Sequence, residues 1–397
     1  MLSCRSCSSL IEGHYLHKPK GSEIDLQIYL CKKCNLIQGF CDEKKYSEKN
    51  DNFKDPNIIL SEISCDSKYS NIRVGKQQMA DKFFLLAQKK IIPIDFSKIS
   101  SVLDVRSARG SFILRAKELF QSSELFIALE QDHYLYPDVK EYKKTNVIIK
   151  DESIYTFKYE KKFDFIYSCH TFEHYRNPIK YIQNITRLIS KKGYLFIDVP
   201  NTLDFIYSPS LDDFFYDKHL IYFEPTTLIN ILENNGFSVI WIRSSGNGCI
   251  ECLAKLKDKN NENINLNLNK SQEIELKDLT NYSDKISKLR AKLPLASEKL
   301  KLWLDNYDNK IAIGSGRILD AFMKYGTLNK DTFDKYVDNY LFDATKKVNG
   351  LRISKLHSIN LIPNAAILFT RQFNIELKNM VKKINPNCQI RHWKDFF

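Results

Sequence analysis

From Ser101 to Ile242 the chain repeats one pattern: a short apolar run, then a helix-length amphipathic stretch. Ser101 to Val105, Leu125 to Leu129, Val147 to Ile149, Phe163 to Tyr167, Tyr194 to Val199 and Phe237 to Ile242 read as strands. Continuous runs such as Ser-Val-Leu-Asp-Val suit strands buried on both faces, which need helices on either side. Lys76 to Lys89, Ser111 to Phe120, Pro178 to Ile189 and Thr226 to Asn235 carry helical spacing. Lys192-Gly193 is expected to cap the third of these and Gly236 to end the fourth. This alternation restricts the segment to an α/β fold. The fold is a doubly wound, mostly parallel sheet with its ligand at the carboxyl ends of the strands.

A second alternation begins at Lys310. Ile311 to Ile313 reads as a strand, followed by Gly314-Ser-Gly316, a helix to Lys324, Tyr336-Val-Asp338 and a later strand Ala365 to Thr370. The lone Gly-x-Gly supports a Rossmann-like fold and says nothing of redox chemistry. Between the alternations lies an Asn/Lys-rich loop (KNNENINLNLNK), then a helical pattern from Leu276 to Leu304 broken at Pro294. The expected division is 1–75, a metal module and wrap; 76–254, the first sheet domain; 255–310, a helical connector; and 311–397, a smaller Rossmann-like domain.

The chain has ten cysteines. Cys4-x2-Cys7 and Cys31-x2-Cys34 can each place two thiolates on a tight turn, together the four soft ligands of a closed, structural Zn2+ site. His14 or His17 could substitute as a ligand. Cys249-x2-Cys252 has no second pair nearby and reads as a core strand after a turn. Thiols held as metal ligands suit a reducing compartment. Met1 to Ser9 lacks the apolar segment of an export signal, and no run approaches the ~18 apolar residues of a membrane span, so a cytoplasmic protein is expected.

The net charge of +12 invites a nucleic-acid reading, but its distribution argues otherwise. The balance is +2 over 1–50, zero over 51–254, +3 over 255–310 and +7 over 311–397. The first sheet domain is neutral, so no nucleic-acid partner is expected. The C-terminal excess suits a diphosphate-bearing ligand, and drift in base composition would produce it equally.

Acids follow successive strands. Asp104 ends the first. Gly110 then opens the expected helix. Glu130 ends the second strand, where an acid can hold both hydroxyls of an adenosine ribose. Asp151 follows the third strand, within reach of an adenine.

Three runs then carry a resemblance: Phe163-Asp-Phe-Ile-Tyr-Ser-Cys-His170-Thr-Phe-Glu173-His174, Leu188 to Asn201, and His219-Leu-Ile-Tyr-Phe223 through Gly236-Phe237. They resemble the fourth strand onward of class I S-adenosylmethionine-dependent methyltransferases. With the N-terminal cysteine pairs and C-terminal α/β segment, the whole order is similar to zinc-bearing sugar methyltransferases, including C-methyltransferases of nucleotide-linked deoxy-keto-sugars. The resemblance implies a seven-stranded catalytic domain. It implies S-adenosylmethionine held by Asp104, Gly110, Glu130, Asp151 and His170, and a C-terminal domain that helps hold a nucleotide-linked sugar. It points to surface glycan or secondary metabolite assembly. A Tyr-x-Glu-His motif of the family matches Tyr216-Asp-Lys218-His219. His219 is then the first choice for general base, His174 the second, Tyr216 a hydrogen-bond partner of the substrate and Tyr69 a weaker one. Lys218 stands where the family has a glutamate. Arg106 and Ala108 replace two glycines of the family's Gly-x-Gly-x-Gly loop. A methyltransferase fold that only binds, without catalysis, is the alternative, and a nucleic-acid methyltransferase ranks below it. The sequence does not choose between carbon and oxygen as the methylated atom.

Overall fold

The computed structural model describes residues 2–11, 15–17, 26–40, 74–131, 145–207, 211, 214–215, 219–244, 248–258, 274–344, 347–348, 350–371 and 374–397. They fall into two compact units, one from residues 1–58, 75–208 and 215–279, the other from 59–74, 209–214 and 280–397. The strands of the first unit are β1 (Tyr15–His17), β2 (Leu26–Leu30), β3 (Ile37–Phe40), β4 (Ser101–Val105), β5 (Leu125–Leu129), β6 (Val147–Lys150), β7 (Phe163–Cys169), β8 (Ile189–Pro200), β9 (Ile221–Tyr222), β10 (Phe237–Ser244) and β11 (Cys249–Leu256). Those of the second are β12 (Lys310–Ile313), β13 (Lys335–Val337), β14 (Lys347–Val348), β15 (Leu351–Ser354), β16 (Ala365–Leu368) and β17 (Gln389–His392). Among the described residues no helix is long and apolar enough to cross a membrane.

The first unit is built on a seven-stranded sheet in the order β10-β11-β8-β7-β4-β5-β6. β4 to β8 are parallel, and β11 enters antiparallel between β8 and β10. Every residue of β4 is buried, as its unbroken apolar run requires. One face packs on helices Pro178–Leu188 and Pro225–Asn234 through Tyr181, Ile185, Leu228 and Leu232. The other packs on helix Val74–Gln88 through Phe83 and Phe84. Cys252 lies in that sheet, so the core-strand reading of its segment holds.

The segment Ser111 to Phe120 is not the regular helix its spacing suggests. Arg115, Ala116, Glu118 and Leu119 donate to the carbonyls three residues back, and only Ala116–Glu118 forms a short 3-10 helix. The expected apolar face survives, with Phe112, Ile113, Ala116 and Phe120 buried and Phe112 stacked on Tyr167 at 3.8 Å. Packing of these large rings sets the backbone here, overriding the helical period.

Lys192-Gly193 is likewise no helix cap. The preceding helix stops at Leu188, and Ile189 is already extended as the first residue of β8. Gly193 is small because of crowding: a Cβ there would lie 2.8 Å from both the Phe163 carbonyl and Ile189 Cγ1. Because one neighbour is backbone, Gly193→Ala is expected to destabilise the protein by about 2 kcal/mol in urea denaturation. An unchanged midpoint would refute the crowding. Gly236, by contrast, does end its helix in the left-handed region, at φ +87°.

A four-stranded sheet, β1-β2-β3-β9, joins the N-terminal segment to the first unit. In the second unit, a six-stranded sheet runs β14-β15-β13-β12-β16-β17, parallel except at β14. Gly314 turns at φ +89° after β12. Asp338 accepts the Ser315, Tyr340 and Leu341 amides at 3.0–3.1 Å, which ties that turn to the start of helix Asn339–Ala344. Helix Leu293–Leu304 begins with Pro294 in its first turn. Its Leu293, Ala296, Leu300 and Leu304 lie in this unit's core with Phe322 and Trp393, so much of the expected connector is part of the second unit. The Asn/Lys-rich stretch falls outside the described residues.

Candidate active site and metal module

The carboxyl ends of β4 and β5 bring two acids together. Asp104 and Glu130 are 2% and 3% exposed. Between them the chain turns sharply, with φ at +56° for Arg106, +51° for Ala108 and +72° for Gly110. Two residues that are not glycine therefore hold the left-handed shape that a Gly-x-Gly-x-Gly loop would adopt freely, at about 1 kcal/mol each. The compensation is visible. The Ala108 amide donates to Glu130 Oε2 at 2.7 Å, and the Gln131 amide to its Oε1 at 2.9 Å. The Ser107 amide donates to the Leu129 carbonyl at 2.9 Å. Lys76, from helix Val74–Gln88, donates to the Arg106 carbonyl and to Thr171 Oγ1. Sequence reading misses Lys76, because nothing local ties it to a loop thirty residues on.

Asp104 Oδ2 is buried without a hydrogen-bond partner among the described residues. Burial raises its carboxyl to about 7, against the pull of Lys76. An acid raised on folding favours the folded state most when protonated. That contribution is complete below pH ~4 and fades as pH rises through about 7. Asp104→Asn lacks this titration. Its stability relative to the parent is expected to rise by about 2–4 kcal/mol between pH 4 and pH 8 in paired urea denaturations. A difference independent of pH would exclude the shift.

This arrangement fits an adenosyl cofactor. It provides a buried carboxylate at each of two adjacent strand ends, a tight loop between them and one orphaned buried oxygen. Asp151 directly follows β6 and is exposed.

One strand over, a second cluster follows β7. Glu173 is 1% exposed, in the short 3-10 turn Phe172–His174. Its Oε1 lies 3.4 Å from His170 Nδ1, 3.7 Å from His174 Nε2 and 3.8 Å from His219 Nε2. The His174 and His219 rings meet edge-on with centroids 4.8 Å apart. Burial opposes charge on Glu173, but His170 and His219 hold its carboxyl below the ordinary value. Burial likewise opposes charge on His170, yet Cys249 and Glu173 raise it well above the usual imidazole value. His170 Nε2 lies 3.7 Å from Cys249 Sγ, and its backbone sits at φ +41°. The structure thus places His170 in the imidazole cluster with His174 and His219. Glu173 is the residue sequence reading passes over, although it sits inside the His170-to-His174 run. It supplies the carboxylate that Lys218 seemed to remove from the neighbourhood of His219. Glu173, His174 and His219 could also accept a divalent ion, since their ligand atoms lie within 4.8 Å of one another. Tyr216, Lys218 and Tyr69 lie outside the described residues.

Cys4, Cys7, Cys31 and Cys34 converge, with Cys4 and Cys34 sulfurs 3.6 Å apart and those of Cys7 and Cys31 3.5 Å apart. All four are unbridged. The two turns repeat one backbone design. Ser8 donates to the Cys4 carbonyl and Asn35 to that of Cys31, at 2.9 and 2.8 Å. Cys4 donates to Ser9 and Cys31 to Leu36, and Ser8 and Asn35 are both left-handed, at φ +58° and +55°. Four thiols on two matched turns fit a tetrahedral Zn2+ without any histidine. The Cys34 thiol, directed at Cys4, lowers the Cys4 thiol to about 5, while the same contact and burial raise Cys34 and burial raises Cys31.

Residues 75–241 match the family model described as a methyltransferase domain. A curated relative, (S)-coclaurine N-methyltransferase of Papaver somniferum, is 27% identical over 125 residues, which is 30% of this chain and 36% of that protein. The chain therefore aligns with about a third of that relative's length. Among solved structures, 1,6-didemethyltoxoflavin-N1-methyltransferase of Burkholderia thailandensis matches 61% of this chain and 99% of its own, at 14% identity and TM-score 0.40. Magnesium protoporphyrin IX methyltransferase of Synechocystis matches 47% and 82%, at 17% identity and TM-score 0.32.

Proposed function

Starting from a class I S-adenosylmethionine-dependent methyltransferase domain at residues 75–241, we propose that this chain methylates a nucleotide-activated sugar, with Zn2+ as a structural ion. The observation that carries the reading is the convergence at neighbouring strand ends. Asp104 and Glu130 lie buried beside a tight loop, and the Glu173, His174 and His219 cluster follows the next parallel strand. The bound cofactor supplies an electrophilic methyl group. Glu130 holds the ribose hydroxyls, and Asp104 offers its unpaired oxygen to a cationic part of the ligand. His219 takes the acceptor proton, and the Glu173 carboxylate, which faces its Nε2 at 3.8 Å, stabilises the imidazolium. His174 packs against that ring and limits its rotation. Cys4, Cys7, Cys31 and Cys34 hold the zinc.

The sugar substrate is supported by the resemblance of the whole chain order and by the +7 balance of residues 311–397. Calorimetry with S-adenosylmethionine tests the first part: micromolar binding is expected, and none at millimolar ligand would leave a binding fold only. Labelled methyl transfer to a panel of nucleotide-linked keto-sugars tests the second. Labelling of RNA or DNA instead would overturn the substrate class. His219→Asn is expected to abolish transfer while cofactor binding survives.

A further inference from the structure

The metal module does more than cap a terminus. The turn after Cys31 runs directly into β3, which pairs with β9 through Ile37 opposite Tyr222 and Gln38 opposite Ile221. His219 and Leu220 immediately precede β9. The Leu220 carbonyl accepts the Gly39 amide at 3.0 Å and Arg5 Nη1 at 3.1 Å. The same Arg5 nitrogen donates to the Gly39 carbonyl at 2.9 Å, so one guanidinium crosslinks the two strands. Arg5 sits between Cys4 and Cys7. Its own amide donates to Gln38 Oε1 at 2.8 Å, and Gln38 Nε2 donates to Cys4 Sγ at 3.3 Å. From the other side, the Leu220 amide donates to the Glu173 carbonyl at 2.9 Å. β3 also passes so near that a Cβ on Gly39 would lie 3.2 Å from the His219 carbonyl.

We propose that the four-cysteine module sets the position of His219, with Arg5 as the positioning residue acting through the Leu220 carbonyl. The physical case is one of register. β9 has two residues, too short to hold its place alone, and the chain entering it must present an imidazole to Glu173. A charged donor on a metal-braced turn, whose amide is also tied down, gives Leu220 a fixed partner. Metal binding and imidazole placement are then one structural event. The importance of this for turnover rests on the reading of His219 as the base, but the placement itself does not.

The test uses the full-length, zinc-loaded chain and its Arg5→Ala and Arg5→Lys variants. Imidazole resonances are followed by NMR, with His219→Asn to assign the signal. Arg5→Ala is expected to keep its zinc and bind S-adenosylmethionine within twofold of the parent. Its His219 resonance should shift and broaden toward that of chelator-treated protein, and Gly39 amide exchange should rise at least tenfold. Arg5→Lys should restore part of both. A His219 signal and Gly39 exchange unchanged in zinc-loaded Arg5→Ala would overturn the proposal. If Arg5→Ala loses zinc, Gly39→Ala, which lies outside both turns, becomes the readout, and an unmoved His219 signal there would overturn it equally. A parent that fails to bind S-adenosylmethionine would instead defeat the methyltransferase reading and leave this inference standing.

Discussion

Cys4→Ser combined with Cys31→Ser is expected to remove one zinc per chain and unfold the N-terminal module. The two residues are 2% and 1% exposed and belong to the same apolar cluster as Leu36, Ile197 and Ile221. Structural zinc sites in small peptides contribute about 10–16 kcal/mol of apparent binding free energy, most of which appears as folding. Loss of the ion therefore releases β3 from β9 and exposes Leu36 and Ile37. Metal analysis should show the loss of the ion, and limited proteolysis should cut between residues 5 and 40 at least a hundredfold faster. The sheet from β4 to β8 should persist, because its other face packs on helix Val74–Gln88 through a cluster that contains none of the four thiols. Unchanged zinc content in the double variant would refute the site, and unchanged protease resistance would refute its structural role.

Glu130→Ala is expected to weaken S-adenosylmethionine binding by at least a hundredfold, about 3 kcal/mol. Two effects add. The ribose loses a charged acceptor for its hydroxyls, each such bond contributing about 1.5–3 kcal/mol. The Ala108 amide also loses the partner it meets at 2.7 Å, and with it the loop loses a main restraint on its left-handed backbone. Glu130→Gln separates the two. Its amide oxygen can still accept from Ala108, at the cost of the bond from the Gln131 amide, so the loop should largely hold and affinity should fall only about tenfold. Equal affinities for the parent and Glu130→Ala in calorimetry would remove Glu130 from the cofactor site.

Comparison of residues shows where local pattern suffices. β4 and β5 have the ends that apolar runs predict, and the helix Pro225–Asn234 stops at Gly236. In each case the signal is short-range: an apolar run bounded by polar residues, or a residue free to turn left-handed. Ser111 to Phe120 shows the limit. Its helical spacing places the correct side chains inward, yet the stacking of Phe112 on Tyr167 accompanies a tighter backbone. Gly193 shows another limit, because its crowding comes from Phe163, thirty residues away.

The candidate site divides in the same way. Asp104, Glu130 and the cysteine pairs are legible because each stands at a position defined by its own strand or turn. Glu173 is not, since its importance comes from three imidazoles, one of them 46 residues later in the chain. Arg106 and Ala108 look like defects in sequence, and the structure shows that they keep the left-handed loop with Glu130 and Lys76 bracing it.

The sequence by itself determined the class of fold, the order of strands in the chain, the acids at their ends and the two cysteine pairs of the N-terminal turns. Those follow from periodicity and from residue types that permit only a few local conformations. Only the tertiary structure decided which groups meet: Glu173 with His219, Lys76 with the Arg106 carbonyl, and Arg5 with Leu220. Such pairings join elements far apart in sequence, and no local preference encodes a distance across a sheet.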